Sequence, residues 1–331
     1  MGTNILSLFD GISGAQVALS KARVDYDNYF ASEIEKNSIE VTQTNFPETT
    51  QVGDVKNLTS KEFPKIDLLI GGSPCQGFSW AGKRLNFDDP RSKLFFEFYR
   101  LLEEIQPKYF LLENVRMLDE SAKVITDYLG VDPIYINSAD FSAQDRKRLY
   151  WTNIKFEPNW DKNNTTLEDI LEPEVDDKYY VEPQRAIEII EKEISKLKKR
   201  QKIAYIKSDS QANRVYTIYG KSVCLCGDAG GLGAKTGLYV IPCITPSRVN
   251  KRQNGRRFKP PKSKFYTLTS QDHHGVLING HIRKLTPVEC ERLQTLPDNY
   301  TAGFSDNQRY KMIGNGFTVD VVAHILKGVK A

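Results

Sequence analysis

The first 155 residues alternate short apolar runs with stretches in which apolar positions recur every three or four residues. NILSLF, DNYFAS, KIDLLI, KYFLLE and PIYINS are short runs that predict buried strands. Between them AQVALSKA, KNSIEVTQTN and LFFEFYRLLEEI carry the helical period. Strands and helices in this alternation give an α/β fold with a doubly wound, mostly parallel sheet, whose chemistry gathers at the carboxyl ends of the strands. After Trp151 the rhythm yields to Asn-, Asp- and Pro-rich text. An amphipathic helix then carries Ile187, Ile190, Ile194 and Leu197 at helical spacing, with a basic tail, KLKKR. Residues 201–282 are rich in Gly and β-branched residues and predict twisted strands and exposed loops. At Thr286-Pro287-Val288-Glu289 a helix begins again, with Thr286 as N-cap, Pro287 in the first helical position and Glu289 placed for a capping box. The last segment, GNGFTVDVVAHILKG, predicts a glycine turn and a closing helix that folds back on the first sheet. The expected organisation is a discontinuous domain of residues 1–178 and 283–331 around a smaller β-rich domain of residues 179–282.

Composition adds exclusions. At 331 residues the chain is long enough to bury a sizeable core without disulfides or metals. No apolar run approaches the ~20 residues that cross a bilayer, and the N-terminal apolar stretch is too short for a signal peptide. A cytoplasmic protein with no membrane partner is expected. The five cysteines are odd in number and scattered, as in a reducing compartment. Cys224, Cys226 and Cys243 with His273 and His274 match no standard zinc spacing, so no metal is expected. The net charge of +4 conceals an asymmetry: residues 179–282 hold 19 Lys+Arg against 7 Asp+Glu, and the remainder 27 against 35. A module facing a polyanion beside an acidic body fits that division.

Candidate chemistry sits at the strand ends. In LSLFDGISGAQ a strand is followed by Gly11, Gly14 and a helix, where a ligand can approach the backbone and find free N–H donors. Ser13 stands where a further glycine would complete a pyrophosphate-binding pattern, which weakens a nicotinamide reading. Glu33 ends the next strand, where a carboxylate can grip ribose hydroxyls, and Asp54 follows the third, within reach of an adenine edge. GGSPCQGFSW puts Cys75 on a turn after the run IDLLI, a setting that lowers a thiol pKa. Glu113 ends the strand KYFLLE, and AQDRKRLYW places Arg146 and Arg148 before or within a strand, where a guanidinium can clamp a ligand.

FDGISGA, SPCQGFS, LLENV, QDRKR, LTPVECERLQTLPD and GNGFTVD, in that order, resemble the DNA (cytosine-5) methyltransferase family over residues 1–155 and 283–325. The resemblance is to bacterial and phage modification enzymes, and the catalytic half is also similar to the animal de novo enzymes. It implies an S-adenosylmethionine methyltransferase fold with a β-rich target-recognition domain. Phe9 would lie against the adenosine, Glu33 on the ribose, Ile34 beside the adenine and Asp54 on its amino group. Leu94, Asn315 and the Gly316 backbone would complete the pocket, with Asp10, Gly11, Gly14, Val55, Pro74 and Phe317 in the same shell. Cys75 is implied as the nucleophile toward C6 of a flipped-out cytosine, with Glu113 at N3, Arg148 at O2 and Arg146 in the catalytic set. GNG replaces the frequent GNS, so residue 316 contacts the cofactor through its backbone alone.

The resemblance places target recognition in the basic middle. KRQNGRRFKPPKSK, residues 251–264, holds seven basic residues and no acid, and reads as a phosphate-contacting stretch. Gln76, Ser79, Gln211, Arg214, Lys235, Lys251, Arg252, Arg256 and Arg257 are the expected DNA contacts. Gln211 would fill the gap left by the flipped base, and Gln253 or Asn254 would pair with adenine. Double-stranded DNA is the expected partner of a monomeric enzyme, and a cognate restriction endonuclease is the protein such a setting implies. An RNA cytosine methyltransferase and a non-catalytic DNA-binding regulator are the rival readings.

Overall fold

The computed structural model describes residues 3–73, 94–182 and 281–330, and between them 184–186, 188, 202–205, 214–216, 241–244, 246, 257–259, 263–269 and 274–278. Seven strands among these form one sheet: β1 (Asn4–Leu8), β2 (Asn28–Ser32), β3 (Thr50–Gln51), β4 (Leu68–Gly71), β5 (Tyr109–Val115), β6 (Ile134–Asn137) and β7 (Lys147–Thr152), in the order β3-β2-β1-β4-β5-β7-β6. The pairings from β3 to β5 are parallel. β7 runs antiparallel to both β5 and β6.

Period-two patterning decides which face each residue serves. Ile5, Leu68, Ile70 and Leu111 enter one core cluster, beneath α1 (Gly14–Ala22), α2 (Lys36–Asn45) and the closing helix Val319–Leu326. Leu6, Leu8, Leu69, Phe110 and Leu112 enter the other, beneath α3 (Leu94–Ile105) and α4 (Asp119–Leu129). The two faces are thus covered by helices that leave the sheet in opposite directions from β1 and β4, which makes the gap between those strands the topological switch point.

Further helices among the described residues are α5 (Leu167–Ile170), α6 (Pro287–Leu293), α7 (Asp306–Asn315) and α8 (Val319–Leu326). Thr286 caps α6 as expected, with its hydroxyl accepting from Glu289 N and the Glu289 carboxylate accepting from Thr286 N. The C-terminal segment does fold back: Lys21 of α1 pairs with Asp320 of α8 at 2.7 Å, and Tyr300 donates to the Ile12 carbonyl.

Outside the main sheet, β8 (Lys202–Tyr205) pairs with β9 (Arg214–Tyr216), and β10 (Ile241–Ile244), β11 (His274–Ile278) and β12 (His281–Lys284) form an antiparallel sheet. Phe265, Leu268 and Val276 from this region share a core cluster with Leu285, Cys290, Leu293 and Ile313. The expected boundary at 282/283 falls inside β12. Ile187, Ile190, Ile194 and Leu197 lie outside the described residues.

Candidate active site

β1 ends in a loop that the helix α1 cannot enter directly. Phe9, Gly11 and Ser13 take φ values of 57°, 60° and 56°. Nothing lies within 4 Å of a Cβ built on Gly11, so backbone angle rather than space calls for glycine there. Phe9 and Ser13 hold left-handed geometry with side chains attached, at about 1–3 kcal/mol each. Gly14 answers a different need: an added Cβ would stand 3.3 Å from the Phe317 ring, which closes over the first turn of α1.

The acids at the ends of β2 and β3 are fixed by backbone. Glu33 Oε2 accepts from Gly11 N at 2.8 Å, and Oε1 accepts from Ile34 N at 2.7 Å and Glu35 N at 2.9 Å. A carboxylate has about four lone-pair sites, so capacity remains for a hydroxyl donor. Asp54 caps a single 3-10 turn, Val55–Asn57, with Oδ1 accepting from Lys56 N at 3.1 Å. Ile34 between them is 68% exposed, a large apolar surface presented at the rim.

Beneath the loop Asp10 is buried, and Oδ1 accepts from the Tyr29 hydroxyl at 2.7 Å while Oδ2 has no hydrogen-bond partner among the described residues. Burial pushes its carboxyl up to about 6, the nearby charge of Glu33 adds to this, and the hydroxyls of Ser7, Tyr29 and Ser13 oppose it.

The other end of the site is built by β4, β5 and β7. The β4–β5 register pairs Gly71 with Leu112, so Gly72 lies against Glu113, with Oε2 3.4 Å from where a Cβ would be. Glu113 stands directly opposite Tyr150, which places Arg148, two residues earlier on β7, diagonally across on the same face. Arg148 Nε lies 3.0 Å from Glu113 Oε1, an ion pair out of line for a hydrogen bond, and among the described residues Oε1 receives none. Asn114, buried in the same strand end, donates to the Ser73 hydroxyl at 3.0 Å and ties β4 to β5 two residues before Cys75 in the sequence. Asn114 was not singled out by sequence reasoning, although an amide next to Glu113 at the end of the run KYFLLENV was the available signal.

These two ends face one cavity of about 430 Å³ at the switch point. Phe9, Asp10, Gly11, Gly14, Glu33, Ile34, Asp54, Val55, Leu94, Glu113, Arg146, Arg148, Asn315, Gly316 and Phe317 all line it, from seven separate stretches of sequence. Arg146 is 3% exposed, with Nη1 donating to the Leu268 carbonyl at 3.0 Å and Nη2 to that of Gly316 at 2.7 Å. Its observed contacts are those of a brace.

Residues 3–331 match the family model for the C-5 cytosine-specific DNA methylase. The chain belongs to that family. It is a DNA (cytosine-5) methyltransferase, as the order of its motifs implied. Similar relatives include the orphan methyltransferase M.SPRI of Bacillus phage SPR, 30% identical with 98% of this chain and 96% of that protein covered. The type II methyltransferase M.BanI of Aneurinibacillus aneurinilyticus is 31% identical, with 99% and 95% covered. Among solved structures, the Entamoeba histolytica methyltransferase EhMeth superposes with a TM-score of 0.66 at 18% identity, covering 99% of this chain and 98% of that one. These structural likenesses carry the fold of the cytosine-5 methylase chain.

The expected DNA contacts divide differently. Pro74, Cys75, Gln76, Ser79, Gln211, Lys235, Lys251, Arg252, Gln253, Asn254 and Arg256 lie outside the described residues, and Arg214 falls in β9. Arg257, an expected DNA contact, is instead 1% exposed: its guanidinium is packed inside the protein. Two lysines of the basic stretch are also spent internally. Lys259 donates to the carbonyls of Lys264 and Phe265 and pairs with Asp145 at 3.3 Å. Lys264 donates to Ser142, Asn163 and Thr165 carbonyls, and burial pulls its ammonium below the usual range. Among the described residues no helix is long and apolar enough to cross a membrane, and no group of His, Cys, Asp and Glu could hold a metal.

Proposed function

We propose that this methyltransferase transfers a methyl group from S-adenosylmethionine to C5 of a cytosine flipped out of double-stranded DNA, in a defined sequence context, through a covalent adduct with Cys75. The observation that carries the reading is the shared cavity: cofactor-type acids Glu33 and Asp54 at one end, and the Glu113–Arg148 pair at the other. The pocket suits an adenosine ligand. Glu33 is held by three backbone donors with capacity for a ribose hydroxyl, Asp54 can accept from an adenine amino group, and Phe9 and Ile34 offer apolar surface to the ring. Bound there, S-adenosylmethionine supplies an electrophilic methyl group on a sulfonium.

The chain supplies the rest. A cytosine inside a duplex cannot present C5 and C6 to side chains, so the base must leave the stack. C5 is a poor nucleophile until the Cys75 thiolate adds at C6, which makes C5 enamine-like and splits one hard step into easier ones. Glu113 handles the proton at N3, drawing electron density from C6. Arg148 holds O2 and keeps Glu113 in place. After methylation, loss of the C5 proton expels the thiolate and restores both the ring and the enzyme. Monomeric action beside a cognate endonuclease, or alone in a phage, fits the type II and orphan names of the relatives.

Duplex DNA carrying 5-fluorocytosine tests the adduct. Fluorine at C5 cannot leave as a proton, so the reaction should stall as a protein–DNA adduct stable to denaturation, formed by the wild type and absent in Cys75→Ser. Equal adduct in Cys75→Ser overturns the nucleophile, and methylation of RNA in preference to duplex DNA overturns the substrate.

A further inference from the structure

The strand-end loop that carries Arg146 is the edge on which the chain between the two halves of the methylase is hung. Residues 263–269 run alongside residues 143–146. Phe265 N donates to the Ala143 carbonyl at 2.7 Å, and Asp145 N donates to the Phe265 carbonyl at 2.9 Å, in a parallel bridge of Gln144 with Phe265. The Thr267 hydroxyl donates to the Asp145 carbonyl at 2.7 Å, and Leu268 N donates to Gln144 Oε1 at 3.0 Å. β11 begins at His274, whose ring Nε2 bonds the Thr267 carbonyl of this strap. Its underside is apolar, with Phe265 and Leu268 in the cluster that holds Cys290, Leu293 and Ile313.

Arg146 is the point where the strap meets the cofactor pocket. Its guanidinium is buried, and it bridges two carbonyls from distant parts of the chain: Leu268 on the strap and Gly316 on the pocket wall. The Gly316 carbonyl is held a second time, by Gln294 Nε2 at 3.1 Å, and Gln294 Oε1 in turn accepts from Gln144 Nε2 at 3.3 Å. A buried guanidinium with fixed fork geometry tolerates little displacement of either acceptor. Ligand contact at Gly316 and any shift of the strap therefore bear on the same side chain.

We propose that Arg146 is a positioning residue that couples filling of the cofactor pocket to placement of the strap at residues 263–269, and so to the grip of the β-rich region on DNA. The inference rests on the cofactor and duplex assignments made above. Coupling of two binding events is reciprocal: whatever factor the pocket ligand contributes to DNA affinity, DNA returns to the pocket ligand.

The test measures that factor. S-adenosylhomocysteine has the same adenosine and amino-acid ends as the donor but no methyl to transfer. The dissociation constant of a duplex carrying the methylated sequence context is measured with and without it, on the full-length protein. In the wild type it should tighten DNA binding by about five-fold or more, the lower end of ordinary coupling. Arg146→Lys keeps the charge but cannot hold both carbonyls, and should reduce the factor to within about two-fold of unity. Thr267→Val loosens the strap away from the pocket; it should lower the factor while leaving S-adenosylhomocysteine affinity in the absence of DNA unchanged. A merely structural role would weaken the two bindings separately and leave their ratio intact. Full coupling in both variants, or none in the wild type, overturns the proposal while the methyltransferase reading stands. A wild type that binds neither S-adenosylhomocysteine nor duplex overturns the cofactor and substrate assignments themselves.

Discussion

Asp10→Asn should make this enzyme more stable at neutral pH and no more stable in acid. Asp10 is buried under the β1 loop, with one oxygen bonded to Tyr29 and the other without a hydrogen-bond partner among the described residues. Burial raises its pKa from 3.8 to about 6. Between those values the unfolded chain has released a proton that the folded chain retains, so stability falls as pH rises through that window, and the whole cost is present above it. At 1.36 kcal/mol per unit the cost at pH 7.5 is about 3 kcal/mol. Asparagine keeps an acceptor for Tyr29 and cannot ionise. With an unfolding entropy of about 2.1 cal/mol/K per residue, the gain corresponds to a rise in Tm of about 4 °C at pH 7.5, vanishing near pH 4. Thermal unfolding of both proteins across that range measures it. The reasoning fails if Asp10→Asn lowers Tm at pH 7.5, or if the two curves stay parallel down to pH 4.

Glu113→Gln should lower kcat by about 10²- to 10⁴-fold while leaving S-adenosylhomocysteine affinity unchanged by calorimetry; a matching loss of affinity would place Glu113 in the cofactor half of the cavity. Glu289→Ala removes the carboxylate that pairs with Arg283 at 2.7 Å, both side chains being buried, and that also accepts from Thr286 N and Glu172 N. Stranding that arginine should cost about 3–5 kcal/mol in denaturant unfolding, and a loss under about 1 kcal/mol would contradict the burial argument. Neutralising Lys251, Arg252 and Arg256 together should weaken DNA binding and flatten its salt slope by about 0.9 for each phosphate that the protein no longer neutralises. Lys259→Ala and Lys264→Ala should lower Tm instead, since both ammonium groups hold carbonyls of the fold; a flattened slope without loss of Tm would return them to the DNA.

Periodicity made the main sheet readable because it reports burial. Ile5 and Leu6, or Leu111 and Leu112, face opposite cores, and a run apolar on both faces has few places to go except a covered sheet. The same logic says nothing about direction, so the antiparallel run of β7 was not visible in RKRLYW. Helix α4 also passed unremarked, its apolar stripe being diluted by Asp119, Glu120, Lys123 and Asp127 on the solvent side. The placing of Glu33 and Asp54 on the cavity was legible since strand ends and glycines mark positions directly. Basic residues were not, because charge is visible in a sequence and its acceptor is not. Arg146, Arg257, Lys259 and Lys264 all read as ligand-facing cations, yet they are buried or bonded to carbonyls up to 170 residues away. Only the folded chain shows that Arg257, Lys259 and Lys264 of the basic stretch serve as an anchor.

Base-resolved sequencing of duplex DNA after incubation with the purified enzyme and S-adenosylmethionine reads the modified base, the modified atom and the sequence context together. 5-Methylcytosine should be confined to one recurring sequence context, with no methylation by Cys75→Ser. Methylation at another atom or base, or undiminished 5-methylcytosine with Cys75→Ser, would contradict the proposed reaction.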